Sequence, residues 1–368
     1  MPKAVIIGAG PAGSIAGLIL ARAGWNITIV EQHRFPRNKV CGECLSALGI
    51  SVLEGLDLCD DLGALEPAIL HRVCLHPSNG NSFQIELPKP MWGISRGQLD
   101  RYLLDQAVSA GARLLQPWRY EGIDGSGSQS LRVKLRDLES NEIRLIEAPW
   151  LLIADGKSTF STRGRASSSE LGIKCHWSGI AGPCDAIELF GCHRAYGGLA
   201  PIENDRWNAA FSVPTIMARE SGGDLQQVFE RLLADNPTMQ LRFAGARRIG
   251  NWLASPLPRF AVRRDWPART ILLGNAAAAI EPIGGEGMGL AMRSAEIAAE
   301  IMMHSKGIWN PRIAAELQRR FLSLWQVRQI ACRAGGIVAA SPTLARIASP
   351  WLRHNRPIAQ AVLNWAGK

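Results

Sequence analysis

The chain has 368 residues, 47% hydrophobic and 20% charged, with 37 glycines and a formal net charge of +9. This is the composition of a globular α/β protein large enough for one big domain or two interleaved ones, and it excludes wholesale disorder. From Arg312 onward nine basic residues face one acid, Glu316, so +8 lies in the tail and the body is close to neutral. No recognisable nucleic-acid-binding module accompanies that charge, so no nucleic-acid partner is expected.

In chain order, Lys3 to Ile7 is a short apolar run suited to a buried parallel strand, and Gly8-Ala9-Gly10-Pro11-Ala12-Gly13 follows it directly. A helix comes next, with Ala12, Ile15, Ala16, Ile19, Leu20 and Ala23 at three- and four-residue spacing and Gly24 as its stop. Residues 27–30 form a second strand that ends in Glu31, and residues 97–110 form a helix closed by Gly111. Leu131, Val133 and Leu135 alternate with Arg132, Lys134 and Arg136, the pattern of a half-exposed antiparallel strand, with residues 143–146 and 150–154 as its expected partners. Between residues 172 and 266 the helical signal thins, and runs at 186–190 and 207–213 predict a sheet with one helix near 224–233. Residues 270–274 return to a buried strand, 287–303 form an amphipathic helix, and 311–368 are mostly helical.

Met1-Pro2-Lys3 runs straight into the first strand, so no secretory leader is expected. The best apolar stretch, residues 334–345, is broken by Ser341-Pro342 and falls short of the roughly 20 residues a bilayer span needs. The expectation is a cytoplasmic protein with its eight cysteines reduced. Cys41 and Cys44 form a CxxC pair with no second pair at similar spacing, and the histidines show no metal spacing, so no metal site is expected.

The first glycine motif stands in the context a dinucleotide needs, with a strand before it and a helix after it. Gly8 permits the tight turn, Gly10 lets backbone approach a pyrophosphate, Gly13 lets helix and strand pack closely, and Pro11-Ala12 open the helix whose N-terminus faces the negative charge. Glu31 stands 18 residues beyond Gly13, near the expected spacing of ~20, with Gln32 beside it to meet the adenosine ribose. This turn by itself leaves FAD and NAD open.

Two further segments bear on that choice. Ile153-Ala154-Asp155-Gly156-Lys157-Ser158 resembles the Asp-Gly motif of the para-hydroxybenzoate hydroxylase group of flavoproteins. Leu273-Gly274-Asn275-Ala276-Ala277, continuing through Pro282, Gly285, Gly287 and Met288, is similar to that group's second FAD motif. Asn275 replaces the usual aspartate there, which keeps an acceptor oxygen but loses the charge. Arg37-Asn38-Lys39-Val40-Cys41-Gly42-Glu43 resembles a segment of the geranylgeranyl reductase family within the group, and Arg96 matches an arginine that contacts the flavin side of FAD. Tyr196-Gly197-Gly198-Leu199-Ala200-Pro201 is similar to that family's strand over the flavin ring.

The resemblance implies an α/β fold of the para-hydroxybenzoate hydroxylase type: a Rossmann-like FAD domain in three segments (1–75, 96–171, 267–310), a β-rich substrate part (76–95, 172–266), and a basic helical C-terminal region (311–368). It implies FAD as cofactor, with NADPH or NADH as external reductant. Cys41 would lie at the substrate edge of the flavin, or be a buried inert thiol. Tyr196, Gly197, Gly198 and Trp207 are assigned to the substrate side, with core packing the competing role for Trp207. The favoured activity is monooxygenation of an apolar or aromatic small molecule through a flavin hydroperoxide. Reduction of an isolated carbon–carbon double bond shares every motif, and a noncatalytic FAD-fold protein is the third reading. No general base is identified. The basic tail, which includes Trp325, Trp351 and Trp365, either packs on the body or lies on an anionic membrane surface.

Overall fold

The computed structural model describes residues 1–78, 82–126, 130–156, 169–258 and 260–347. The nucleus is a five-stranded parallel sheet with the strand order Thr270–Leu272, Trp150–Ile153, Lys3–Ile7, Asn26–Val30, Arg113–Leu115. Its central strands are apolar throughout because both faces are covered, and Val5, Ile6, Leu151 and Leu152 have no exposed surface. The helices Pro11–Arg22, Arg96–Ser109 and Gly287–His304 pack together on this sheet's core.

The strand Trp150–Ile153 corrects one expectation. It does not pair with Leu131–Asp137; it is inserted in parallel between Lys3–Ile7 and Thr270–Leu272. Its four residues are all buried, whereas Leu131–Asp137 shows alternation and pairs antiparallel with Ile143–Ala148 and Trp118–Ser126 in a separate meander. Trp150 stacks edge-on against Trp25 and Trp309, at ring separations of 6.1 and 5.0 Å. Its indole N–H donates to Gly307 O at 3.0 Å, which satisfies the polar end of a wholly buried ring.

The second large unit is an eight-stranded sheet running from Arg247–Pro256 through Glu170–Ser178, Arg206–Pro214, Ala195–Ile202, Ala186–Cys192, Ala68–His76 and Phe83–Gly93 to Cys44–Leu45. Its pairings are antiparallel except between Ala186–Cys192 and Ala68–His76. One face packs on three helices, Thr215–Glu220, Leu225–Asp235 and Pro237–Phe243, where a single helix was expected. The two short ones fall outside the sequence signal because six or seven residues span fewer than two turns. The helix Pro311–Ala339 carries the tail back across the molecule. Residues 348–368 of the expected helical tail, Trp351 and Trp365 among them, lie outside the described residues, as do Lys157 and Ser158. Among the described residues no helix is long and apolar enough to cross a membrane.

Candidate active site

The first glycine turn is built as its sequence requires. Gly8 has φ +99°, and a Cβ there would lie 2.6 Å from Ala154 O; a Cβ on Gly13 would lie 1.9 Å from Gly8 O. Helix and strand thus touch backbone to backbone. Gly10 differs, because a Cβ on it would meet only Arg96 Nη2, at 3.6 Å. The helix beginning at Pro11 has no side-chain cap, so its leading N–H groups are not taken by its cap residue.

A polar cavity of about 470 Å³ opens in front of this turn, lined by Gly8, Gly10, Glu31, Gln32, Arg37 and Asp155 among others. Glu31 is buried and braces the turn: its carboxylate accepts the Ala9 N–H and the His33 N–H, both at 2.9 Å. Arg37 stands 3.7 Å from both Glu31 and Asp100, and its buried Nε has no hydrogen-bond partner. An orphaned donor, a side-chain-free Gly10 and an uncapped helix start in one polar cavity fit the phosphates and ribose of a dinucleotide.

Gly10, Lys39 and Ala154 also line a second, apolar cavity of about 280 Å³. One side is contributed by Pro11, Ala12, Cys41 to Cys44, Arg96, Gly156, Gly274, Asn275, Pro282, Gly285, Gly287 and Met288. The large sheet supplies the other side with Val73, Met91, Ile187, Leu189, Tyr196, Gly197 and Gly198. Gly285 has φ +66°, a left-handed turn that glycine adopts without strain, and a Cβ on Gly42 or Gly287 would meet nothing within 4 Å. Open backbone on two sides of an apolar slot suits a planar ring, and Glu286–Gly287 starts a helix with no side-chain cap at its edge. The residues present therefore fit FAD across the two cavities.

Buried charge surrounds the junction. Arg96 donates from Nε and Nη2 to the two oxygens of Asp100, both at 2.7 Å, with Asp100 fully buried. Burial works against the Arg96 charge, but Asp100 more than offsets it and raises its pKa. Glu43 accepts the Arg96 backbone N–H at 2.7 Å, His176 Nε2 at 2.7 Å and the Lys174 ammonium. Although burial opposes ionisation, His176 and Lys174 hold the Glu43 carboxyl below its ordinary value of 4.5. Tyr196 donates its hydroxyl proton to Glu281, which also receives Arg333 Nη1 at 2.6 Å. Glu286 is buried, its Oε2 lacks a partner, and burial pushes its carboxyl up to about 7 against the pull of Arg328.

Most residues singled out in the sequence converge on these two cavities. Cys41 lines the apolar one; its sulfur accepts the Glu43 N–H at 3.4 Å, and it forms no disulfide with the buried Cys44. Trp207 does not converge. It is buried on the helix-covered face of the large sheet, paired with Trp177, because residues 207, 209 and 211 share the side of the strand that packs on the helices. Sequence reasoning missed Lys174, Glu281 and Arg333. Lys174 alternates with apolar residues as a solvent-facing lysine would, and nothing local marks its partner, 131 residues away. Glu281 stood beside Pro282 within the second glycine motif and was the nearest thing to a signal.

Comparison with known proteins agrees with the geometry. The profile of the FAD binding domain family matches residues 2–307. Over 318 residues the chain is 26% identical to a menaquinone reductase of Mycolicibacterium smegmatis, covering 81% of this chain and 75% of that protein. It is 25% identical over 346 residues to digeranylgeranylglycerophospholipid reductase 2 of Methanopyrus kandleri, covering 88% and 81%. The flavin-dependent brominase Bmp2 has the same fold, with a TM-score of 0.82 at 19% identity over 99% of this chain and 92% of that one.

Proposed function

The chain belongs to the FAD binding domain family, and from that premise we propose that it is an FAD-dependent monooxygenase acting on an apolar or aromatic small molecule, with NADPH or NADH as external reductant. One observation carries the choice of reaction. Saturating an isolated double bond requires a proton at the second carbon, and of the two hydroxyls on the sheet wall of the apolar cavity, those of Tyr196 and Ser212, the phenol already commits its proton to Glu281. Hydroxylation of an electron-rich ring has no such requirement.

Bound FAD supplies the two-electron redox chemistry and the activation of dioxygen. The chain's own residues divide the remaining work. Gly8, Gly10, Gly13 and Arg37 hold the pyrophosphate side, and Glu31 fixes the turn and meets the ribose. The uncapped helix start at Gly287 borders the apolar cavity, where its positive end would favour the negative charge that a bound flavin gathers on reduction. Arg96, oriented by Asp100, places a fixed positive charge beside Cys41 and Gly10. The apolar wall of Val73, Met91, Ile187 and Leu189 excludes water and sets the substrate class.

Carbon–carbon double-bond reduction is the second reading. It is favoured by the two relatives named as reductases and by the Cys41 thiol, a proton source on the cavity wall. Isotope-labelled dioxygen separates the two: labelled oxygen in an aromatic product supports monooxygenation, whereas anaerobic turnover that saturates a prenyl chain overturns it.

A further inference from the structure

The face of the large sheet turned away from the apolar cavity carries a second group of polar side chains that the flavin site does not use. Ile187 and Leu189 line the cavity, so Glu188 and Phe190, which alternate with them, lie on the side that packs on the helices. Glu188 is 0% exposed and shares a cross-strand row with Cys74 and Gln84, with His76 and Phe190 in the next row. His76 Nε2 stands 3.0 Å from Glu188 Oε1, and its Nδ1 stands 2.8 Å from the hydroxyl of Ser82, which is exposed. None of Ser82, His76 and Glu188 lines either cavity.

These hydrogen bonds have a fixed direction. The Glu188 carboxylate accepts Arg242 Nε on both oxygens, at 2.8 and 3.1 Å, and a carboxylate can only accept. The proton of a neutral His76 ring therefore sits on Nε2, and Nδ1 is left to accept the Ser82 O–H. The ring is held in place, stacked on Phe190 at 5.1 Å, while Asn236 Nδ2 donates to the His76 carbonyl at 2.8 Å. A hydroxyl bonded to an imidazole nitrogen, with the other nitrogen oriented by a buried carboxylate, is the arrangement that activates a serine as a nucleophile. Gln84 Oε1 accepts Arg72 Nη1 at 3.4 Å, which leaves the Gln84 amide N–H groups, two residues from Ser82, to donate to an oxygen that gains charge.

We propose that Ser82, His76 and Glu188 form an acyl-transfer site, separate from the flavin site, that hydrolyses small aryl esters. Ser82 Oγ bonds to the acyl carbon while its proton passes to His76 Nδ1; the ester C–O bond breaks, and the departing aryloxide takes that proton. Water then attacks the acyl group and gives a proton to Nδ1, and the released Ser82 oxygen takes it back. Ser82 and His76 are the catalytic residues, and Glu188 is a positioning residue, since it acts through His76. Arg242 shares the Glu188 carboxylate and Ser82 is open to water, so the acceleration belongs at the low end for general-base catalysis.

The test uses the full-length protein, with and without FAD, and two probes: a fluorophosphonate, its adduct mapped by mass spectrometry, and p-nitrophenyl acetate. Ser82 should be labelled equally in both samples, and Ser82→Ala, a surface change, should remove the adduct and lower ester turnover at least about tenfold. Glu188→Gln can keep Arg242 on its carbonyl and turn its amide N–H to Nε2, which moves the ring proton to Nδ1 and takes the acceptor from Ser82. Labelling should then slow about a hundredfold, and nitrogen NMR of His76 should show the change of tautomer. No adduct on Ser82, ester turnover unchanged by Ser82→Ala, or full-rate labelling and an unchanged His76 tautomer in Glu188→Gln overturns the assignment. A protein that takes up no FAD yet labels at Ser82 would instead sink the proposed function and leave this inference standing.

Discussion

Glu43 and Lys174 meet as an ion pair whose side chains are 0% and 1% exposed, although 131 residues of chain separate them. The pair ties the loop after Arg37 to the large sheet, and Glu43 also receives the N–H of Arg96. Lys174→Met should leave a buried carboxylate short of one partner and destabilise the protein by about 3 kcal/mol, moderated by His176, which stays in place. Chemical denaturation measures this; a loss within error of zero would show that the pair contributes nothing net.

Two buried carboxyls give stability opposite slopes with pH. Glu43 is held below its ordinary 4.5 in the folded chain, so its contribution is complete above that pH and is lost as pH falls below it. Glu286 is pushed up to about 7, so the folded state binds its proton more tightly than the unfolded one, and stability drains away as pH rises from 4.5 through 7. Glu286→Gln should flatten that upper decline and stabilise the protein above neutral pH relative to acid by up to about 3 kcal/mol. Melting temperatures of both forms across the range would expose an error, since parallel curves mean Glu286 does not titrate there.

The glycines of the first turn should separate cofactor binding from folding. Gly10→Val projects into open space beside Arg96 and should leave circular dichroism unchanged while FAD retention collapses. Gly13→Val meets Gly8 O and should disrupt the helix-to-strand contact itself, with loss of the fold. Full flavin content in a folded Gly10→Val protein would mean the nucleotide does not use this turn.

Asn275 lines the apolar cavity with an amide where a carboxylate is usual in the resembling flavoproteins. Restoring charge with Asn275→Asp should tighten FAD binding about threefold to tenfold, since hydrogen bonds to an ionised acceptor are the stronger kind. Titration of apoprotein with FAD gives the answer, and unchanged affinity would refute this account of the substitution.

The tail helix exposes Ile330 (62%) and Ile337 (49%), and Leu344 and Ile347 are exposed beyond it in a strongly basic region. We expect cosedimentation with anionic but not neutral vesicles at low salt, weakened by Ile330→Ser with Ile337→Ser. No pelleting with anionic vesicles at low ionic strength, where exposed charge is least screened, would remove the membrane from consideration.

Much of the parallel sheet was legible because its signals are local: Lys3–Ile7 followed by a glycine turn and a periodic helix needs no distant information. Pairing partners were not. The apolar run at Trp150–Ile153 resembled the neighbouring antiparallel strands, and only its burial on both faces, between strands about 145 and 120 residues away, gives it its place. Trp207 was legible as a strand residue with two competing roles, substrate wall or core, and the choice between helix and cavity depends on what covers each face of the strand. The buried partners of Glu43 and Tyr196 were invisible for the same reason, since charged and hydroxyl side chains read as solvent-facing until a distant group is brought to them.

The order of the parallel sheet also sets the timing of assembly. A chain that ends before Thr270 already contains four of the five parallel strands, the first glycine turn, Glu31, Arg96 and the whole eight-stranded sheet, yet lacks the edge strand and the Gly274–Met288 stretch that completes the apolar cavity. During synthesis the slot for the flavin ring is therefore finished last, after most of the polypeptide has emerged. Cofactor capture becomes a seal on a nearly completed molecule, and chains truncated ahead of Thr270 should take up no flavin however well their strands form.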